Sequence, residues 1–194
     1  MKKIYESTRI LDKNAISNYD LSEDILMENA ACALEQAVKK SLTNKTEFLV
    51  TILCGSGDNG GDGNTLARRL TLDEYDNKKI NVQVYAVKDA KTEGCIKQKN
   101  RCQKANVKIN NYIDLSCKDE FEKSDIIVDC IFGSGFYGEM DLRIKNLIEY
   151  VNSLSCIKIA CDIPSGLKFR ADITVTMGAL KTQLYLVHKQ LIEI

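Results

Sequence analysis

Asp129 interrupts the apolar run Ile126-Ile127-Val128-Asp129-Cys130-Ile131-Phe132. A carboxylate inside such a run is costly unless it is ion-paired, hydrogen-bonded or bound to a cation. A glycine loop begins close by at Gly133, which points to a site at this strand's end. Capping of neighbouring backbone is the alternative. A second carboxylate stands in Asp162-Ile163-Pro164-Ser165-Gly166, at the end of another apolar run, and Pro164 is the only proline in the chain. Proline forces Ile163 to be extended and fixes a sharp exit, holding Asp162 and Ser165 in a defined relation at the sheet edge. An ordinary turn Asp and turn Ser is the plainer alternative.

The glycines mark the same places. Five of the eleven lie between Gly55 and Gly63, three more are Gly133, Gly135 and Gly138, and one is Gly166. Each group follows an apolar strand, and in open parallel α/β sheets the ligand sits beyond the carboxyl ends of the strands, so three loops would converge on one pocket. Gly55-Ser56-Gly57-Asp58-Asn59-Gly60 matches the GxGxxG pattern in which backbone N–H groups approach a pyrophosphate. The acid that a dinucleotide site carries about 20 residues on, at the end of the second strand, is not cleanly present, since Asp89 comes later. An ordinary Rossmann dehydrogenase is therefore disfavoured, while phosphate binding by the loop stays. The lone histidine, His188, offers neither a Ser-His-Asp nor a Cys-His arrangement, and no histidine-rich metal site can be built.

The elements that must position these groups follow from periodicity. Ser22 is a helix N-cap with Glu23 and Asp24 behind it, and Leu26, Ala30, Ala33, Leu34, Ala37 and Val38 repeat at three and four. Ile10, Leu11, Ala15 and Ile16 predict a shorter helix before it. Strands are predicted over 48–54, 80–87, 107–109, 125–132, 156–163, 173–177 and 184–187, with helices after the first glycine loop, over 92–105 and over 144–151. Such alternation predicts βαβ units and a largely parallel sheet covered on both faces. No repeat or linker divides the chain, so residues 1–194 read as one domain.

Composition limits the function. With 27 Lys and Arg against 27 Asp and Glu, the chain lacks the surplus of positive charge that nucleic-acid binding uses, and none is expected. No stretch approaches the ~20 apolar residues of a membrane span, and no signal peptide is expected at Met1-Lys2-Lys3. The eight cysteines include no CxxC pair, and several sit in apolar runs, where a reduced thiol acts as a small hydrophobe. A cytoplasmic location is expected.

Leu26-Met27-Glu28-Asn29-Ala30, Asp58-Asn59-Gly60-Gly61-Asp62-Gly63, Val128-Asp129 with Phe132-Gly133-Ser134-Gly135, and Asp162-Ile163-Pro164-Ser165-Gly166-Leu167 occur in that order, and Ala171-Asp172-Ile173-Thr174-Val175-Thr176 continues the series. Together they resemble the NAD(P)HX epimerase family, the YjeF N-terminal domain, over most of the chain. The resemblance implies a three-layer αβα Rossmann-like fold with a mainly parallel central sheet and N-terminal helices. It implies an isomerase that interconverts the R and S forms of hydrated NADH or NADPH, so that a dehydratase acting on S can clear both. It places substrate contacts on Asp58, Asn59, Gly60, Gly61 and Asp62, on Gly133, Ser134, Gly135, Phe136, Tyr137, Gly138 and Glu139, and on Asp162, which is the candidate catalytic group. It places a potassium ion on Asn59, Asp129 and Ser165, a set of hard oxygen donors without sulfur or imidazole. A dehydratase domain or protein and a homodimer through the N-terminal helices are the implied partners. Asp58 departs from the family, which usually has Asn there. The rival reading is a non-catalytic Rossmann-like dimerisation or ligand- or RNA-binding scaffold.

Overall fold

A computed structural model describes residues 3–72, 75–186 and 191–193. Seven strands, β2 (Glu47–Cys54), β3 (Lys79–Ala86), β4 (Lys108–Asn111), β5 (Ile126–Cys130), β6 (Ile157–Cys161), β7 (Ile173–Val175) and β9 (Leu191–Glu193), form one sheet in the order β4-β3-β2-β5-β6-β7-β9. Every pairing in it is parallel. A second, two-stranded sheet joins β1 (Ile4–Tyr5) to β8 (Leu180–Lys181).

Both faces of the central part of the large sheet are buried, which is why β2, β5 and β6 are largely apolar, while β3 alternates and the edge strand β4 is mostly polar. On one face Val50, Ile52, Val84, Ile126, Val128 and Ile159 pack with Ala31, Leu34 and Val38 of α2 (Glu23–Lys40) and with Leu66, Ala67 and Leu70 of α3 (Asp58–Thr71). On the other, Leu53, Tyr85, Ile127 and Ala160 meet Phe121 of α5 (Lys118–Glu122) and Ile144, Leu147, Ile148 and Val151 of α6 (Leu142–Ser153). Successive strand residues point to opposite layers, so the three-layer αβα architecture follows from period two applied to strands that are largely apolar at the sheet's centre.

The helix starts form where their caps allow. Ser22 Oγ accepts the Ile25 N–H at 3.4 Å to open α2, and Thr92 Oγ1 accepts that of Cys95 at 3.3 Å to open α4 (Glu93–Lys104). Glu28 and Glu35 bind Arg68 and Arg69 and clamp α2 to α3, which gives the Glu28 of the first sequence block a structural role.

Four local expectations need correction. The buried stripe of α2 is Met27, Ala31, Leu34, Ala37 and Val38, and the predicted Leu26, Ala30 and Ala33 are only half-buried. Helix α1 (Arg9–Tyr19) forms as predicted but buries none of its residues, leaving Ile10 60% exposed. Ile4 and Tyr5, outside every predicted strand, form β1. Residues 184–187 are not a strand: Thr182–Leu186 is a 3-10 turn, and Val187 lies outside the described residues, as does His188.

From β2 the chain moves to β3 and β4 on one side, then returns to β5 on the other. That reversal opens a crevice between the carboxyl ends of β2 and β5, the place where open α/β sheets bind ligands.

Candidate active site

The crevice holds a cavity of about 480 Å³, within the size range of small-molecule sites. Its wall includes Ser56, Gly57, Asp58, Asn59 and Asp62 from the first glycine loop and α3, Ile131 to Phe136 from the loop after β5, and Asp162 from the loop after β6. A roomier hollow of about 660 Å³ runs along residues 4–7, Arg9, Ile10 and Lys13, but no strand tip of the large sheet feeds it.

At the first loop, close backbone approach demands glycine. The Gly55 N–H donates to the Cys130 carbonyl at 2.9 Å, and a Cβ on Gly55 would collide with the Ile131 carbonyl group, 2.8 Å from its carbon. A Cβ on Gly60 would likewise collide with the carbonyl of Gly55, 2.8 Å from its carbon. Gly60→Ala should therefore destabilise the fold by about 1–3 kcal/mol. Thermal unfolding checks this, and an unchanged midpoint would contradict it. Gly57 caps α3 without a side-chain hydrogen bond, so the first-turn N–H groups of a 14-residue helix are left for an anion in the cavity. Gly60 and Gly61 themselves do not line the cavity; Gly61 faces Met27 and Cys95.

At the second loop Phe132 and Phe136 stack with ring centroids 4.0 Å apart. Gly133 lies between two polar side chains: a Cβ there would come 2.9 Å from Asp162 Oδ2 and 3.5 Å from Asn59 Oδ1. Tyr137, Gly138 and Glu139 fall outside the cavity wall, and Tyr137 is 78% exposed.

Asp162 takes a left-handed backbone conformation, φ 67°, which aspartate tolerates better than most residues. Its Oδ2 accepts the Ser134 N–H at 2.7 Å. Lys181 Nζ lies 2.6 Å from Oδ1, a charge contact that the sequence did not reveal. This lysine is fully buried and also donates to Thr176 Oγ1 at 3.0 Å and to the Met177 carbonyl at 2.6 Å. The signal was present in Met177-Gly178-Ala179-Leu180-Lys181, a cation closing an otherwise apolar turn. Arg9, Asp12 and Lys88 also line the cavity and were missed. The first two are charged residues of α1, and no motif in the sequence sets them apart.

Two of the carboxyl groups here, those of Asp62 and Asp12, are shifted by desolvation. Burial pushes Asp62 well above the usual carboxylate range, and the charges of Asp162 and Asp58 push the same way. Its nearest polar partner is the Cys161 thiol, whose Sγ lies 3.8 Å from Oδ2. Burial also raises Asp12, an effect that Lys181 opposes.

Asp129 and Ser165 form a closed clasp behind the cavity wall. Ser165 donates to Asp129 twice, from Oγ to Oδ1 at 2.6 Å and from its N–H to Oδ2 at 2.8 Å. The Ile131 N–H adds a third bond to Oδ1 at 3.1 Å. Ser165 Oγ in turn accepts the Phe132 N–H at 2.9 Å. Burial still raises the Asp129 carboxyl to about 6 against the pull of these bonds. Asn59 leaves its amide nitrogen buried without a hydrogen-bond partner. The oxygens of Asn59, Asp129 and Ser165 are hard donors of the kind that suits an alkali cation, while the orphaned amide nitrogen, an N–H donor, is not one of them.

A model of the family described as YjeF-related protein N-terminus matches residues 23–183. The chain belongs to this family. It is 42% identical to the bifunctional NAD(P)H-hydrate repair enzyme Nnr of Helicobacter pylori, covering 95% of this chain and 39% of that one. It is 33% identical to the NAD(P)H-hydrate epimerase of Elusimicrobium minutum, covering 91% of this chain and 85% of that one. The crystal structure of yeast ynu0 (YNL200c) superposes with a TM-score of 0.82 at 23% identity, over 98% of this chain and 86% of the yeast chain, and shows the shared fold. YjeF N-terminal architecture thus accounts for the reversal between β2 and β5 and for the three loops gathered there.

Proposed function

We propose that this chain interconverts the R and S epimers of hydrated NADH and NADPH. The observation that carries the reading is Asp162, which stands at the cavity wall between a backbone N–H and a buried lysine, across Gly133 from Asn59. The names of the relatives at 42% and 33% identity support it. Epimerisation at C6 of the nicotinamide ring needs the hydroxyl to leave as water and water to return on the opposite face. The ring nitrogen supplies the electron pair that expels the hydroxyl. Asp162 gives a proton to the departing oxygen and takes one back from the incoming water, so its proton is restored within the cycle, and Lys181 Nζ, in contact with Oδ1, holds the carboxyl group in position. The α3 N–H groups hold the pyrophosphate, and the stacked Phe132 and Phe136 limit ring motion.

Asn59, Asp129 and Ser165 would hold a potassium ion, which supplies fixed positive charge beside the anionic substrate. Since the chain spans 39% of the Helicobacter relative, a dehydratase that consumes the S epimer is the proposed partner, as a joined domain or a separate protein. The half-buried Leu26 and Ala30 and the exposed Ile10 support a homodimer through α1 and α2. All eight cysteines are free, which suits the reducing cytoplasm. No helix among the described residues is long and apolar enough to cross a membrane.

Incubating pure R-NADPHX with the protein in potassium buffer, then in sodium buffer, and following the S form by chiral chromatography tests the reading. Conversion far above the spontaneous rate, and faster with potassium, is expected; a rate equal to the blank rejects it. Asp58, exposed on the first turn of α3 beside the pyrophosphate position, should weaken binding by like charge. Asp58→Asn should lower KM by about threefold to tenfold, read from initial rates, and a raised KM would contradict this.

A further inference from the structure

Lys88 stands just past the carboxyl end of β3 and lines the cavity, while its neighbour Asp89 is exposed and does not. Its backbone is set in place on both sides. The Val87 N–H donates to the Cys54 carbonyl at 2.8 Å, Arg143 donates to the Val87 carbonyl at 2.8 Å, and the Lys91 N–H donates to the Ser56 carbonyl of the first glycine loop at 2.8 Å. The side chain runs over the Phe132 ring, with Nζ 5.6 Å from the centroid. Among the described residues no carboxylate pairs with it, although Asp12, Asp58, Asp62 and Asp162 line the same cavity. A half-buried ammonium that lines the cavity and is bound by none of the carboxylates on its wall is placed for an anion that enters with the ligand.

The sheet order says which anion. Asp162 follows β6 and Lys88 follows β3, and β2 and β5 lie between them. That is three strand spacings, about 14 Å. The uncapped α3 N-terminus lies between these two positions and takes the pyrophosphate. With the nicotinamide at Asp162, the adenosine half crosses to the β3 side. In sheets of this topology the residue at the end of that strand reads the ribose 2′ position, an acid where it carries a hydroxyl and a cation where it carries a phosphate.

We infer that Lys88 binds the 2′-phosphate of the substrate's adenosine ribose, so that this chain takes hydrated NADPH in preference to hydrated NADH. The inference rests on the epimerase reading for the substrate's identity, but its test does not need turnover. Calorimetry on the full chain compares adenosine 2′,5′-bisphosphate with adenosine 5′-monophosphate, probes that differ only in the 2′-phosphate. The wild-type chain should prefer the bisphosphate by about tenfold to a hundredfold, the effect of one charge-assisted hydrogen bond. Lys88→Ala should collapse that ratio toward one, Lys88→Arg should keep most of it, and Arg9→Ala, at the other cation on the wall without a carboxylate partner, should leave it. Melting curves within a few degrees of wild type confirm that the variants are folded. A wild-type chain indifferent to the 2′-phosphate, a ratio that survives Lys88→Ala, or one that falls with Arg9→Ala instead overturns the assignment. A chain that shows the preference and its loss at Lys88 yet does not interconvert the epimers removes the epimerase reading and leaves this one standing.

Discussion

Asp162→Asn should slow R/S interconversion by at least about a hundredfold, because an amide neither gives nor takes the proton that the C6 oxygen exchanges. The same change should lower stability. Lys181 is fully buried, and its counter-charge is the Asp162 carboxylate 2.6 Å away. Removing one partner of a buried pair typically costs about 3–5 kcal/mol, since the other charge stays without compensation. Lys181 keeps Thr176 Oγ1 and the Met177 carbonyl, so the lower end of that range is expected. For a chain of this length that is a midpoint lower by about 6–12 °C. The double variant Asp162→Asn with Lys181→Met removes the orphaned ammonium, and it should recover much of the midpoint and none of the rate. Chiral chromatography and thermal unfolding on the three proteins separate the effects. A single variant with near wild-type turnover would end the assignment of Asp162, and a double variant that melts below the single one would show that Lys181 does not depend on that charge.

The chemistry of the strand tips was legible because each tip breaks a local rule. Asp129 is polar within an apolar run, Pro164 follows a strand, and the glycines crowd where strands end. Period two on largely apolar strands gave the layers, and Ser22 announced its helix by cap chemistry. What stayed hidden is long-range or very short. Strands β1 and β8 have two residues each, too few to show a period, yet their pairing sets Lys181 at the end of β8. No spacing in the sequence connects that lysine to Asp162. Gly60 and Gly61 belong to the loop pattern of a phosphate site, and that pattern does not say where the helix begins. With α3 starting at Asp58, both lie in its first turns and serve close packing, against the Gly55 carbonyl and against Met27 and Cys95. The apolar spacing of α1 predicted a helix correctly and could not say that its stripe is uncovered.

Removing the Asp129 carboxylate should have the largest effect on the fold itself. In Asp129→Ala the N–H groups of Ile131 and Ser165 and the Ser165 hydroxyl lose their acceptor at once, in a place with no solvent to replace it. Each buried donor left unpaired costs about 1–3 kcal/mol, so a total near 4–6 kcal/mol is expected where the groups cannot relax. Ser165→Ala leaves both backbone N–H bonds to Asp129 but takes from the Phe132 N–H its acceptor, so about 1–3 kcal/mol is expected there, less than for Asp129→Ala. Denaturant titration in potassium-free buffer measures both, and equal losses in the two variants would place the strength of the clasp in the hydroxyl instead of the carboxylate. The pH dependence separates the carboxylate's bonds from its charge. The folded-state value, about 6, lies above the unfolded value near 3.9. The unfolded chain therefore ionises first as pH rises, and wild-type stability falls between about pH 4 and pH 6 by as much as ~3 kcal/mol from this group. Buried Asp62 pulls in the same direction in both proteins, so only the difference between wild type and Asp129→Ala isolates Asp129. That difference should be greatest near pH 4 and shrink toward pH 6. One that instead grows with pH would mean that Asp129 is held ionised in the folded chain by a positive charge that the protein's own side chains do not provide.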